Sequence, residues 1–484
     1  MTTPTGRLKA VRVRLKADAT YALLLLALVV VVSGVSRTAF AQEAAGDLDP
    51  RIVKLVASVS EQRLGDILRT LQSFETRSTL SSTNGTTRGV GAARQWILNE
   101  MRGYSPKLQV SFDAYQVAPQ GRITRVVDLR NVVAILPGRS PRRIYVSGHY
   151  DTVARSGGQS ATNASGAPAP PIDPDAPTPR PADPTAPLDN LAPGVNDDGS
   201  GTALTIELAR VFSQSGIDFD ATLVFMCHAG EEQGLVGARL HAQKAVAEKI
   251  PIEAILNNDI VGNDKAGNGI IDGATIRVYS EGPEDSASRE LARFVQRWGG
   301  RYVPSHKVRP MARPDRFGRG GDHSAYNALG FTAVGFRESR ENFTRQHDVR
   351  DTFEGISLPY LAQNARVNAA AAATLALGPP PPVVTNERNQ PTISRAPSGY
   401  DANLKWTAVP GAAAYRIFWR EAWGPDWQHE MLVGNVTSVV LPNMQIDDYV
   451  FGVAAVDAQG HESFVAAYVT PPRASTPIKT VGEP

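Results

Sequence analysis

The sequence predicts an α/β protein with a mainly parallel or mixed central sheet, helices on both faces of it, and a small all-β sandwich after it. Three observations carry that expectation. Across residues 142–299, short apolar runs alternate with segments of helical period, the pattern of a sheet covered on both faces. The stretch "LGPPPPVVTNERNQP", residues 377–391, interrupts it with four consecutive prolines. Beyond that point only short strand-like segments recur, at the spacing of a sandwich. A chain of 484 residues is also too long for one typical domain.

The elements follow in order. Arg7, Lys9, Arg12, Arg14 and Lys16 precede the apolar run "YALLLLALVVVV". That run is shorter than the roughly 20 residues that span a bilayer, and Ala39-Phe40-Ala41 supplies a small-x-small cleavage site. Residues 1–41 therefore read as a secretory signal peptide. The mature chain is expected to be bacterial, secreted or periplasmic, with no stable membrane span.

Residues 42–378 form the main domain. Residues 49–101 are helical by the recurrence of Ile52, Leu55, Val56, Leu64, Ile67, Leu68 and Leu71, with "STNGTTRG" as a loop. Strands are expected at 108–114, 126–136 and 142–149. A proline-rich insertion occupies about 155–193, with ten prolines between Pro168 and Pro193. It suits a surface excursion, not a helix or central strand. Helix, strand, helix, strand, strand and helix are then expected at "NDDGSGTALTIELARVFSQSG", "ATLVFMCHA", "GLVGARLHAQKAVAEK", "EAILNND", "TIRVYS" and "SASRELARFVQRWG". Residues 379–390 make a stiff linker, 391–474 the sandwich, and 475–484 a tail. The strands around Trp406, Tyr415 and Trp419, with "YVFGVAAVDAQGHES", resemble a fibronectin type III module. Its tryptophans offer a candidate face for a surface polysaccharide or a protein, although core packing is the expected use of most of them.

Composition narrows the function. The formal net charge is +2, and no basic block is interleaved with aromatics, so nucleic acid is not an expected partner. Cys227 is the only cysteine. It excludes an intramolecular disulfide and a cysteine-built metal site, leaving His, Asp and Glu as ligands.

The chemistry gathers at strand ends. One predicted strand ends in "GHYD" with His149 and Asp151, another runs into "GEE" with Glu231 and Glu232, and a third ends in "NND" with Asp259. Ligands of open parallel sheets bind at the carboxyl ends of strands, so these residues form one site. "GVNDDGSG" adds Asp197 and Asp198 in a glycine-bounded turn, and "RQHDVRDT" adds His347 and Asp351. Adjacent acids disfavour each other's ionisation, which calls for a positive partner. Two histidines and several carboxylates suit zinc, and two metals sharing a carboxylate would lie roughly 3.5–4 Å apart.

"GHYD", "NDDGSG", "GEE", "NND" and "HDVRDT" occur in the order found in secreted di-zinc aminopeptidases. Over about residues 49–378 the chain resembles that zinc exopeptidase family, which also includes glutamate carboxypeptidase-like enzymes and glutaminyl cyclases. The resemblance implies two Zn²⁺ ions and peptide substrates. Asp197 would bridge, His149 and Asp259 would complete one zinc site, and Glu232 and His347 the other. Glu231 would be the general base, Asp151 would orient the His149 imidazole, and the Asp197-Asp198 peptide would be cis. Asp322 and His323 in "GGDHSAYNALGF" match a family motif of pocket or supporting residues. Many relatives carry a tyrosine before the late histidine; here Gln346 stands there, and Tyr326 or an arginine is a candidate substitute.

The implied activity is hydrolysis of N-terminal peptide bonds. Its rivals are a zinc carboxypeptidase for small peptides and a non-catalytic binding ectodomain of the same fold. Acids in the pocket would favour a free amine, and Arg or Lys a carboxylate. His228, His241 and His306 match no role and read as surface or packing residues, and Cys227 as a small core residue.

Overall fold

The computed structural model describes residues 48–154 and 189–470. The expected signal peptide, most of the expected proline-rich insertion and the expected tail fall outside the described residues. Three helices come first: α1 (Pro50–Ala57), α2 (Glu61–Ser73) and α3 (Gly89–Arg102). Asp49 and Ser60 cap the first two by accepting from Arg51 N and Arg63 N, satisfying main-chain donors that a helix leaves open.

Eight strands build the main sheet: β1 (Gln109–Val117), β2 (Val127–Leu136), β3 (Arg143–His149), β4 (Thr222–His228), β5 (Ile252–Asn258), β6 (Thr275–Ser280), β7 (Lys307–Met311) and β8 (Ala333–Glu338). Their order is β1-β2-β4-β3-β5-β8-β6-β7. Strands β4, β3, β5 and β8 run parallel at the centre, while β1, β2 and β6 introduce antiparallel pairings. The sheet is therefore mixed, as the sequence predicts. Every residue of β4 is buried, which explains its unbroken apolar run: both faces are covered, so alternation disappears. Helices α4 (Gly199–Ser213), α5 (Val236–Ala247), α6 (Ala287–Tyr302), the short α7 (His323–Asn327) and α8 (Leu358–Leu377) complete the domain.

Strands β7 and β8 and helix α8 were not anticipated. Helix α8 carries the run "NAAAAATLAL" and is buried on nearly every side. A helix buried all round has no polar face, so no apolar stripe announces it. Its two buried asparagines are structural. Asn368 exchanges side-chain hydrogen bonds with Asn258 at 2.9 and 3.0 Å, and Asn364 donates to Val261 O at 2.7 Å. Both contacts flank Asp259 and fix the carboxyl end of β5.

The C-terminal region folds as two antiparallel sheets. One holds β9 (Ile393–Ser394), β10 (Ala402–Lys405) and β13 (Ser438–Leu441); the other holds β11 (Ala414–Glu421), β12 (His429–Val433), β14 (Tyr449–Val456) and β15 (Ala466–Ala467). Trp406, Tyr415, Ile417, Trp419, Phe451 and Val453 form the core between them. Val384, from the stretch expected to be linker, joins that core.

These sheets dock firmly on the main domain. Phe464 packs into the main domain's own hydrophobic core. Trp427 Nε1 donates to Glu290 on α6 at 2.8 Å, and Arg420 pairs with Asp285 at 2.5 Å. His461 lies 2.8 Å from both Asp49 and Asp457, one carboxylate on each ring nitrogen. Burial opposes a charge there, but Asp457 and Asp49 outweigh it and raise the His461 pKa above 6.5. A raised folded-state pKa adds stability that is complete below the unfolded value and lost as pH rises through the folded one. His461→Ala should therefore lower the melting temperature at pH 6, and the gap to wild type should narrow as pH is raised through and beyond neutrality. Thermal melts across that range check this; a gap independent of pH contradicts it.

Candidate active site

Four parallel strands bring their carboxyl ends to one edge of the sheet. β3 ends at His149, β5 leads into Asp259, and β4 leads through a turn to Glu231 and Glu232. The turn before α4 adds Asp197 and Asp198, and the loop after β8 adds His347. Gly201, in the first turn of α4, permits this convergence: a Cβ there would stand 2.2 Å from Asn258 O.

The structure gathers the predicted residues around Asp197. His149 Nε2 lies 3.4 Å from Asp197 Oδ1, and His347 Nε2 lies 3.0 Å from Asp197 Oδ2. His149 Nε2 is also 3.7 Å from Asp259 Oδ1, and His347 Nε2 is 3.3 Å from Glu232 Oε2. Asp197 Oδ2 and Glu232 Oε1 are buried without a hydrogen-bond partner. The short His347–Asp197 separation therefore lacks hydrogen-bond alignment. Buried polar atoms without partners are costly, and cations between these groups would satisfy them.

The electrostatics agree. Burial opposes a charge on His347, but Glu232 and Asp197 push its pKa up to about 11. His149 is likewise raised against burial, by Glu231, Asp151, Asp197 and Asp259. A cluster that would protonate its own imidazoles is asking for positive charge.

Asp198 plays a different part. His149, Asp198 and Asp259 also lie close enough to suggest a ligand triad. Yet Asp198 Oδ1 accepts from Gly201 N at 2.8 Å and Ile260 N at 3.1 Å, and Oδ2 accepts from His149 N at 3.0 Å. Its oxygens are committed to main chain, so Asp197, not Asp198, is left for a metal. The peptide between them is cis, as the motif resemblance implies.

Two other acids also hold backbone. Asp351 accepts from Asn196 N at 3.0 Å and Asp197 N at 2.9 Å. Asp151 accepts from Glu231 N at 3.0 Å and Glu232 N at 3.2 Å. Its carboxylate stands 3.6 Å from His149 Nδ1, while its main-chain oxygen stands at 3.1 Å. The carboxylate thus stays within ion-pair reach of the ring while it also fixes the glutamate turn, and the main-chain oxygen is the nearer contact of Nδ1.

Tyr326 does not reach the cleft. It is fully buried beneath the sheet edge, packed on Tyr145 and Phe331, with its hydroxyl 3.5 Å from His228 Nε2. It is no substitute for a tyrosine at Gln346, and Gln346 itself lines the cleft. His323 Nε2 contacts Pro314 O at 3.0 Å. Asp322 is 1% exposed, and neither of its carboxylate oxygens has a hydrogen-bond partner. Burial, with Asp151 and Asp259 nearby, pushes its pKa up to about 8. His228, His241 and His306 are all buried packing residues.

Two arginines were missed. Arg77, fully buried, donates to Tyr150 O, Leu71 O, Pro193 O and Gly194 O at 2.7–3.1 Å, pinning both loops beside Asp197. Arg337, on β8, grips both oxygens of Asp259. Burial would raise the Asp259 pKa, but Arg337 holds it below the usual carboxylate range. "GFRE" carries no spacing signal; only the position of β8 beside β5 reveals the contact.

Imidazoles and carboxylates converging on the carboxyl edge of a mixed sheet, above a cleft of about 1260 Å³, define a metallopeptidase centre. Residues 131–372 match peptidase family M28. A "Probable zinc metalloprotease" of Pyricularia oryzae is 35% identical over 463 residues, covering 87% of this chain and 83% of that protein. Another, from Leptosphaeria maculans, is 33% identical and covers 86% and 96%. The LapA aminopeptidase of Legionella pneumophila shares the fold, with a TM-score of 0.50 and 19% identity over 70% of this chain and 78% of that one. The chain belongs to peptidase family M28 and is a zinc-dependent metallopeptidase.

Arg337 and a metal would both draw on Asp259. Arg337→Met should destabilise the metal-free protein by roughly 3–5 kcal/mol, the cost of stripping one partner from a buried ion pair. Added zinc should then raise the melting temperature more than in wild type. Equal zinc-induced shifts would show that the two cations do not share the carboxylate.

Proposed function

We propose that the chain is a secreted exopeptidase that uses two zinc ions to remove residues from the N-terminus of peptides, with Glu231 as general base. The observation that carries the two-metal reading is Asp197. Its two oxygens face two different histidines at 3.4 and 3.0 Å, as a carboxylate shared by two ions requires. His149 and Asp259 would complete one set, and Glu232 and His347 the other. The ions would supply acidification of a water molecule and polarisation of a peptide carbonyl.

The remaining steps belong to side chains. Glu231 Oε2 lies 3.9 Å from His149 Nε2, and its side chain keeps 15% exposure towards the cleft. Burial raises its pKa well above the ordinary value, with Asp259, Glu232 and Asp322 adding to the effect. A carboxylate so placed takes a proton at Oε2 and returns it to the leaving amine. Asp151 holds its main chain, so the base stays aimed at the cleft. Gln346, which lines the cleft beside His347, would donate to the substrate carbonyl.

The order of the motifs supports the N-terminal direction, and the shared fold of the LapA aminopeptidase is consistent with it. Carboxypeptidase action is the second reading, favoured by one observation. Arg122, Arg239, Arg316, Arg319 and Arg337 line the cleft, and guanidinium groups recognise carboxylates. For the C-terminal region, the three- and four-stranded sheets support a fibronectin-like module, and the docked contacts favour a structural role for it.

Elemental analysis of the purified protein should find about two zinc ions per chain. Glu231→Gln should keep them and lose roughly 10²–10⁴-fold in turnover of aminoacyl anilides; retained activity would remove Glu231 from the role. Matched peptides blocked at either end fix the direction. An acetylated N-terminus should abolish cleavage while an amidated C-terminus leaves it intact, and the reverse result establishes a carboxypeptidase.

A further inference from the structure

A second pocket, of about 830 Å³, adjoins the catalytic cleft and shares Arg316 and Arg319 with it. Its polar lining is dominated by Arg277, Arg313, Arg316, Arg319 and Arg340, against the single carboxylate of Glu341. That carboxylate is already occupied. It is buried, and it receives Arg277 at 2.7 Å, Arg316 more closely still, and Arg319 at 3.6 Å. Three guanidinium groups thus share one carboxylate, and Arg313 and Arg340 stand outside that cluster. Arg313 Nε is buried without a hydrogen-bond partner, and the nearest carboxylate oxygen to Arg313 is on Asp315, 3.9 Å away. Arg340 is exposed at the rim.

The same rim is apolar. Phe317 is 89% exposed and sits at φ 59°, a backbone region that disfavours a bulky side chain. Arg313 lies over its ring at 3.8 Å, and Arg319 lies 5.0 Å from the Phe343 ring. Ile270 adds a further exposed apolar side chain. An exposed apolar patch around crowded guanidinium groups marks a binding surface. Stacked guanidinium groups also keep their N–H edges available for two-point contact with a carboxylate.

We propose that this pocket binds an acidic segment of the peptide substrate, whose Asp or Glu side chains fork onto Arg313, Arg319 and Arg340 while its scissile bond lies in the adjoining cleft. The proposal rests on the peptidase reading but not on which terminus is cut. It makes the protein selective for acidic peptides through residues that touch neither the metal ligands nor Glu231. The aromatic and aliphatic rim suits the side chains that flank such acids, and continuity with the cleft favours a peptide over other polyanions.

The test uses the full chain loaded with zinc. Peptides of equal length, differing only in Asp and Glu against Asn and Gln, are compared with a single-residue chromogenic amide. Wild type should favour the acidic peptides by roughly fivefold or more in kcat/KM, with the preference fading as salt rises. The double variant Arg313→Ala, Arg340→Ala should lose the preference and keep its rate on the short amide. Equal rates on acidic and neutral peptides in wild type, or a preference that survives the double variant, would overturn the proposal.

Failure of the peptidase reading is separated by binding. A fluorescent acidic peptide titrated onto zinc-free Glu231→Gln protein should bind, and the Arg313, Arg340 variant should lose that binding. This outcome upholds the pocket even if no cleavage is found. No binding to the parent protein, or displacement by single-stranded DNA at lower concentration than by unlabelled peptide, overturns it.

Discussion

Asp151, Asp197, Asp198, Glu231, Glu232 and Asp259 converge where a dry sheet meets a cleft, and their mutual repulsion is the constraint that the rest of this molecule answers. Acids that close cannot all ionise in a buried setting without compensation. Two imidazoles meet part of that demand, Arg337 meets another part through Asp259, and zinc would supply the rest. The surrounding architecture keeps the acids in place despite their repulsion. Gly201 lets α4 approach Asn258, Arg77 ties two loops through main-chain carbonyls, and the asparagine pair between α8 and β5 holds the strand end beneath Asp259.

The acids divide into two kinds by what their oxygens already do. Asp151, Asp198 and Asp351 accept main-chain N–H groups, which fixes the turns carrying Glu231, Glu232 and Asp197. Asp197 and Glu232 keep buried oxygens free. An acid that has spent its lone pairs on the backbone is a poor ligand, and one that has not is a costly structural residue unless an ion arrives. Hydrogen-bond accounting thus separates Asp197 from Asp198, neighbours that the sequence presents as equals.

Much of the site was legible in the sequence, because chemistry restricts both residue type and position. His149, Glu231, Glu232 and Asp259 stand at or just past the ends of apolar runs, and Asp197 stands in a glycine-bounded turn. What stayed hidden depends on three-dimensional neighbours. Arg337 finds Asp259 only because β8 lies beside β5. Asp151 read as a partner for an imidazole, and nothing in the sequence signalled that the same carboxylate also accepts from the amides of the glutamate turn. Tyr326 had the chemistry of a cleft residue and the burial of a core one. Helix α8 escaped because burial on all sides erased its periodicity.

Phe464 seats in the core of the main domain although it lies beyond the proline stretch at 379–382, and His461 closes on Asp49 across 412 positions of chain. During synthesis the ribosome delivers those contacts well after the rest of the main domain. The main domain therefore lacks part of its own interior until residues 461–464 have emerged. A chain that stops early, or a chimaera that exchanges the C-terminal sheets for another module, inherits an unfinished core rather than a free-standing enzyme. The boundary that composition draws through the prolines separates two cores, and Phe464 is a side chain that crosses it.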